Sequence, residues 1–152
     1  KLNIHPQKVG IAGFSAGGHL ASTVGTHWSD TSVRPDFMIL FYPVISADTD
    51  KRHRGSFEQL LGKKHCDTPQ SQELSLEKKV DVQTPPTLLF HCDDDKVVPA
   101  VNSVLFYKQL KTYGIKSSLH IYPSGGHGWG MSSCFRYYDD WQKSVLDWLS
   151  TL

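Results

Sequence analysis

The chain has 152 residues, of which 39% are hydrophobic and 20% charged, and its net charge is +1. This length and composition are typical of one globular domain and exclude a disordered, collagen-like or coiled-coil protein. A balanced charge provides no basic surface for a phosphate backbone, so we expect no nucleic-acid partner. The longest apolar run, residues 37–45, is interrupted by Pro43 and is too short to cross a bilayer, so we expect no membrane span.

The cysteines Cys66, Cys92 and Cys134 are odd in number and form no C-x-x-C pair. They therefore predict neither a disulfide framework nor a zinc ribbon, and they leave the redox compartment undecided. The chain opens with Lys1 and shows no charged segment followed by an apolar one. We expect no signal peptide in these residues and a trimmed start.

Four short apolar runs predict strands, at 9–14, 37–44, 87–91 and 119–122. The first two read as strands buried on both faces. Apolar residues at helical spacing precede Gly114, which suits the left-handed position after a helix. The same spacing recurs at 141–149 and predicts an apolar stripe that packs on a sheet.

Strands that alternate with helices predict an α/β fold with a parallel sheet and right-handed crossovers. Residues 46–86 break this alternation, because they are rich in charge and turn formers with only short apolar patches. We interpret them as a partly helical insertion over the sheet, within one domain that covers residues 1–152.

Ser15 lies at the centre of Gly13-Phe14-Ser15-Ala16-Gly17, between a predicted strand and a predicted helix. A serine on a strained strand-to-helix turn projects its hydroxyl above the sheet, and both glycines would remove Cβ atoms that clash there. The helix that follows directs its N-terminus at developing negative charge. The pattern favours a nucleophile over a glycine-rich turn with an incidental serine.

A serine nucleophile needs a base, and the base needs a carboxylate that orients it. The acidic run 93–95 follows the third predicted strand, and His127 lies in a glycine-rich loop after the fourth. The carboxyl ends of parallel strands meet at one edge of the sheet. We therefore expect Ser15, Asp95 and His127 to lie close together.

Three segments resemble the motifs of α/β-hydrolase esterases: GFSAGGHLA at 13–21, HCDDDKVVP at 91–99 and YPSGGHG at 122–128. They are similar to the carbohydrate-esterase-like group that includes acetylxylan and feruloyl esterases, which is related to the prolyl-oligopeptidase-type hydrolases. The resemblance implies an α/β-hydrolase fold, of which about four strands of the C-terminal part are visible here. It allows a secreted or extracytoplasmic location.

The resemblance also implies a triad in which Ser15 is the nucleophile, His127 the base and Asp95 the acid, with no cofactor. The family usually has Gly-Thr where this chain has Cys92-Asp93, which leaves Asp94 as the alternative acid.

The tetrahedral intermediate of acyl transfer needs two N–H donors. The backbone N–H of Ala16, directly after the nucleophile, is the first. In this fold the second normally comes from a loop after an earlier strand. We expect it to lie outside these residues, in an N-terminal half of the fold on this or another chain.

The other histidines are expected to be structural: His91 and His120 packed or hydrogen-bonded in strands, His19 on the helix after Ser15, and His53 and His65 on the insertion surface. The acidic run 93–95 also suits a divalent cation, although an acidic triplet alone is weak evidence, so we expect no metal.

Cys92 is expected to end its strand as a small buried residue rather than act as a nucleophile. Trp129, two residues after His127, is expected to contact substrate, since aromatic rings stack on sugar faces. Core packing is the expected role of the remaining aromatic candidates, Trp28, Tyr42 and Phe57.

Three functions fit the sequence: a serine esterase acting on acylated carbohydrate or another small ester, a related serine peptidase, and a non-catalytic fragment that retains the fold. The peptidase is less favoured, because such peptidases usually cover their active site with a large extra domain. We expect the esterase, with poor activity in residues 1–152 alone.

Overall fold

A parallel sheet is the centre of the structure, a computed structural model that describes residues 5–152. Its strands are hydrogen-bonded in the order β1 (Ile11–Phe14), β2 (Met38–Phe41), β3 (Thr87–Cys92) and β4 (Ser117–Tyr122), and all neighbouring pairs are parallel. The predicted α/β fold is confirmed. The helices are α1 (Ala16–Thr26), α2 (Arg54–Leu61), α3 (Pro69–Gln72), α4 (Val101–Thr112) and α5 (Tyr138–Leu149), with 3₁₀ turns at Thr31–Val33 and Leu76–Lys79.

Successive side chains of the central strands enter two separate cores, one on each face of the sheet. Met38 and Leu40 pack in the core that also contains Phe106 of α4. Ile39 and Phe41 pack in the opposite core, whose members on α5 include Trp141 and Trp148. The predicted apolar stripe of the last helix is therefore confirmed. No helix within residues 5–152 is long and apolar enough to cross a membrane.

The prediction that the first strand is buried on both faces does not hold within residues 5–152. β1 is the edge strand of the described sheet and Ala12 is exposed, whereas every residue of β2 and β3 is buried. The second strand also ends earlier than predicted, at Phe41, because Tyr42 turns out of the extended conformation with φ 37°. Both departures occur beside Ser15.

Gly114 ends α4 as predicted, with φ 71° in the left-handed region. The N–H of Ile115 donates to the carbonyl oxygen of Leu110 at 2.8 Å, which closes the helix end. The chain can then turn at once into β4, which carries the loop with His127 at its far end.

Residues 46–86 contain α2, α3 and the second 3₁₀ turn. Phe57 of α2 is fully buried in a small cluster with Val44 and Val98, the latter in the loop after β3. The entry to this segment is fixed by Asn102, whose Oδ1 accepts the N–H groups of Ile45 and Ser46 at 3.0 and 2.9 Å. These contacts place α2 next to the carboxyl ends of β2 and β3.

Candidate active site

Ser15 is held on a strained turn between β1 and α1, with φ 52° and ψ −119°. Its N–H donates to the carbonyl oxygen of Phe41 at 3.0 Å, and its own carbonyl oxygen accepts the N–H of Val44 at 3.2 Å. The residues on either side of the end of β2 therefore fix the turn. A non-glycine residue with positive φ is unfavourable, and such strain is concentrated at functional sites.

The two glycines of the motif have different roles. A Cβ at Gly13 would overlap the carbonyl oxygen of Gly17, so this position requires glycine. A Cβ at Gly17 would meet no atom of the described residues within 4 Å. The predicted clash is confirmed at Gly13. At Gly17 no clash occurs within residues 5–152, where the outer face of α1 is open.

The structure brings Ser15, His127 and Asp95 into one chain of hydrogen bonds. The Nε2 atom of His127 lies 2.8 Å from Ser15 Oγ, and its Nδ1 atom lies 2.6 Å from Asp95 Oδ2. Because an ionised carboxylate only accepts, Nδ1 carries the proton, and Nε2 can accept the proton of the serine hydroxyl. Their predicted proximity is confirmed, although Ser15 and His127 are separated by 112 positions in the sequence and Asp95 and His127 by 32.

Asp95 is 6% exposed and is surrounded by donors. Its Oδ1 atom accepts the N–H groups of Val97 and Val98, each at 2.9 Å. Burial alone would raise the pKa of Asp95, but hydrogen bonds from His91, His127 and these two amides lower it to about 2. Asp95 is therefore ionised at neutral pH and can stabilise an imidazolium at His127.

Asp94, the alternative acid, is directed at a different group. Its carboxylate accepts the N–H groups of Gly125 and Gly126 at 3.2 and 2.8 Å, in the loop that carries His127. Asp94 thus holds the backbone of that loop while Asp95 contacts the imidazole. Within residues 5–152 no group of three or more His, Cys, Asp or Glu side chains is arranged to hold a metal ion.

Tyr42 is a site residue that the sequence reasoning assigned to the core. Its hydroxyl oxygen accepts the N–H of Gly130 at 2.8 Å, and its ring centroid lies 4.7 Å from that of His127. It is also a non-glycine residue with positive φ, directly after β2. Tyr42 therefore links the end of β2 to the loop that carries His127. Its aromatic ring was the only signal for such a role in the sequence, because the apolar run 37–44 placed it inside a predicted strand.

Trp129 follows His127 into the core. It is 7% exposed and stacks on Phe135 with ring centroids 4.1 Å apart. Its predicted contact with substrate stays a prediction.

Phe57 is buried, and Trp28 lies beyond the far end of α1, a helix about 16 Å long that begins at the site.

Cys92 ends β3 as a fully buried thiol. Burial and the nearby charge of Asp94 raise its pKa to about 11. A thiol with this pKa is protonated at neutral pH and is a weak nucleophile, as expected for a residue that packs rather than reacts.

The backbone N–H of Ala16 opens α1 directly after Ser15, and no acceptor for it lies among the described residues. The first N–H groups of a helix have no partner within the helix, and the helix dipole favours negative charge there. This N–H is therefore positioned to receive an oxyanion. That a second donor lies elsewhere stays a prediction.

A largely apolar cavity of about 640 Å³ lies beside this position, between α1 and α2. Ala16, Leu20 and Phe57 are among its lining residues. His19 also lines it and is anchored through Nδ1, 3.1 Å from the carbonyl oxygen of Val44, while burial lowers its pKa. The anchored ring agrees with the structural role expected for His19.

Comparison with known proteins gives a family and several related hydrolases. The chain is 42% identical to an acetylxylan esterase of Xylanibacter ruminicola over 99% of its own length and 32% of that protein. It is 38% identical to endo-1,4-beta-xylanase B of Butyrivibrio fibrisolvens, over 84% of this chain and 21% of that one. The acetyl ester-xyloside bifunctional hydrolase of Caldicellulosiruptor lactoaceticus superposes with a TM-score of 0.89 at 43% identity, over 99% of this chain and 58% of the solved one.

The chain thus spans about a third of the acetylxylan esterase and a fifth of the xylanase. The similarity to the solved hydrolase confirms the α/β-hydrolase fold. The prolyl oligopeptidase family matches residues 1–152, and the chain therefore belongs to that family of α/β-hydrolases.

Proposed function

We propose that these residues supply the nucleophile, base and acid of a serine esterase that cleaves acyl groups, above all acetyl groups, from plant polysaccharide or oligosaccharide. The observation that carries the proposal is the hydrogen-bonded series from Ser15 Oγ through His127 to Asp95. Two similar proteins are described as an acetylxylan esterase and an acetyl ester-xyloside hydrolase, which supports the substrate class.

In the first half of the reaction Ser15 Oγ attacks the ester carbonyl carbon while its proton moves to His127 Nε2. The carbonyl oxygen becomes an oxyanion, which the N–H of Ala16 stabilises. Asp95 stabilises the imidazolium that forms at His127. Collapse of the intermediate breaks the bond to the sugar oxygen, which takes the proton from Nε2 and leaves as an alcohol.

In the second half, water attacks the acyl-enzyme and gives a proton to His127 Nε2. The tetrahedral intermediate then releases the carboxylic acid, and the proton returns to Ser15 Oγ. The site is thereby restored without a net change in its protons. No step requires a cofactor.

Labelling and product analysis on the full-length protein test this proposal. A fluorophosphonate should modify Ser15, as located by peptide mapping, and acetylated xylo-oligosaccharides should release acetate in a reaction that the Ser15→Ala variant does not perform. Labelling of an active protein at another residue would overturn the assignment of Ser15. Cleavage of proline-containing peptides without acetate release would favour the serine peptidase instead.

A further inference from the structure

Two imidazoles approach the same oxygen of Asp95. His127 Nδ1 lies 2.6 Å from Asp95 Oδ2, and His91 Nε2 lies 3.3 Å from it on the inner side. His91 is fully buried. The reaction above uses His127 but gives no role to His91, although an imidazole enclosed beside the acid is an unusual core residue.

The hydrogen bonds of His91 define where its proton lies. Nε2 is 2.8 Å from the carbonyl oxygen of Val98 and 3.3 Å from Asp95 Oδ2, and both of these groups accept. Nε2 therefore carries a proton, which it donates to Val98 and which lies within reach of Asp95 Oδ2. Nδ1 lies 2.8 Å from Ser103 Oγ on α4, whose hydroxyl can donate to it.

From this geometry we propose that His91 is a positioning residue. It holds the Asp95 carboxylate against His127 by placing the N–H that it donates to Val98 within 3.3 Å of the same oxygen that His127 contacts. Ser103 fixes the orientation of the ring, and Val98 links the ring to the loop whose N–H group binds Asp95 Oδ1. The inference rests on the proposed function, because it assigns His91 to the acid of that triad.

The other groups around Asp95 differ from His91 in how they interact with its carboxylate. Cys92 on β3 and Tyr42 after β2 also feel the negative charge of Asp95, and each has its pKa raised, mainly by burial. Asp94 is directed at the loop of His127, and α4 contributes the hydroxyl of Ser103 to the ring of His91. The side-chain N–H groups that lie within reach of the Asp95 carboxylate among the described residues are thus those of His127 and His91.

Loss of the N–H from His91 would leave more of the carboxylate's charge to act on His127 and would free the carboxylate to rotate. A stronger attraction favours the imidazolium, so the base becomes protonated at higher pH. A rotated acid also misaligns the base. Both effects act on catalysis, whereas a residue that only packs would change stability alone.

The test compares His91→Gln, His91→Asn and His91→Met in the full-length protein, with p-nitrophenyl acetate as substrate. A Gln amide reaches the place of Nε2 and can donate to Asp95, whereas an Asn amide reaches only the place of Nδ1, and Met fills the volume without a donor. His120→Gln is the matched control, because His120 lies on the neighbouring strand and stacks on Phe90 away from the triad.

We expect His91→Asn and His91→Met to lower kcat/KM about 10- to 100-fold. The acid limb of their pH profile should move up by about half a pH unit. His91→Gln should retain most of the activity and the wild-type profile. If His91→Met fails to fold, as judged by circular dichroism, the contrast between Gln and Asn still decides.

Asn and Met variants with the profile and activity of His120→Gln would overturn the role of His91 while leaving the proposed function intact. A wild-type protein that neither hydrolyses esters nor labels at Ser15 would overturn the proposed function, and the role of His91 with it.

Discussion

The two sides of the candidate site differ in how completely residues 5–152 enclose them. On the acid side, Asp95 is 6% exposed and its two oxygens are bonded by backbone amides and by His127, with His91 close by. On the nucleophile side, Ser15 follows an edge strand, and Leu20 on α1 is 64% exposed.

This difference separates two physical requirements. The acid and base need a fixed geometry, which buried hydrogen bonds provide. The nucleophile must meet substrate from its strained turn, and within residues 5–152 the outer face of α1 beside that turn is uncovered. We therefore expect the acid side to respond to changes in single side chains, and the nucleophile side to depend also on residues beyond those described.

The largest effect should come from breaking the contact between the two sides. In the full-length protein, Ser15→Ala and His127→Ala should each lower kcat for acetate release by about 10⁶-fold, because the pair acts as one unit. The double variant should be no slower than either single variant. Independent, multiplying effects in the double variant would show that Ser15 and His127 do not act together.

The next largest effect separates the two candidate acids. Asp95→Asn should lower kcat about 10⁴-fold, because an amide favours the wrong tautomer of the base. Asp94→Asn is the matched control, and it should cost less than about tenfold because it only weakens the hold on the backbone at 125–126. Steady-state kinetics of both variants measure this contrast, and a larger loss at Asp94 would reverse the assignment.

On the nucleophile side, residues 1–152 expressed alone should hydrolyse p-nitrophenyl acetate about 10²- to 10³-fold more slowly than the full-length protein, because one oxyanion donor is lost. Each protein is measured with its Ser15→Ala variant as the blank. Equal Ser15-dependent rates would place the second donor within residues 1–152.

Substitutions of the two glycines near Ser15 test the nucleophile side by their effect on the free energy of unfolding. Gly13→Ala should lower the free energy of unfolding by about 2 kcal/mol or more, because its Cβ overlaps the backbone of Gly17. Gly17→Ala should be neutral or stabilising by up to about 1 kcal/mol, since alanine favours the helix and meets no described atom. Denaturant unfolding compares the pair. A loss at Gly17→Ala confined to the full-length protein would show that further residues cover α1.

The smallest effect concerns the acid side and its pH dependence. The pKa of Asp95 falls from 3.8 to about 2 on folding. Ionised Asp95 therefore stabilises the folded state at pH values above its unfolded pKa. This contribution, on the order of 2 kcal/mol, should be lost as the pH falls through that interval towards 2. Asp95→Asn should flatten the corresponding part of the stability curve. An unchanged curve would show that Asp95 does not gain this stabilisation.

Much of the site follows from local patterns in the sequence. The motif around Ser15 lies between an apolar run and a helix, and the loops with Asp95 and His127 each follow an apolar run. Since the carboxyl ends of parallel strands share one edge of the sheet, this order is enough to predict that the three side chains meet. Their catalytic roles stay predictions.

What the sequence alone determined is thus the α/β fold, the turn at Ser15 and the loops that converge on it, because hydrophobic periodicity and glycine-rich turns are local signals. Only the tertiary structure decided that Asp95 rather than Asp94 faces His127, and that His91 lies behind Asp95. It also decided that Tyr42 adopts a positive φ beside His127, and that no other described segment covers Gly17. These features depend on side-chain directions and contacts between distant segments, which no local pattern encodes.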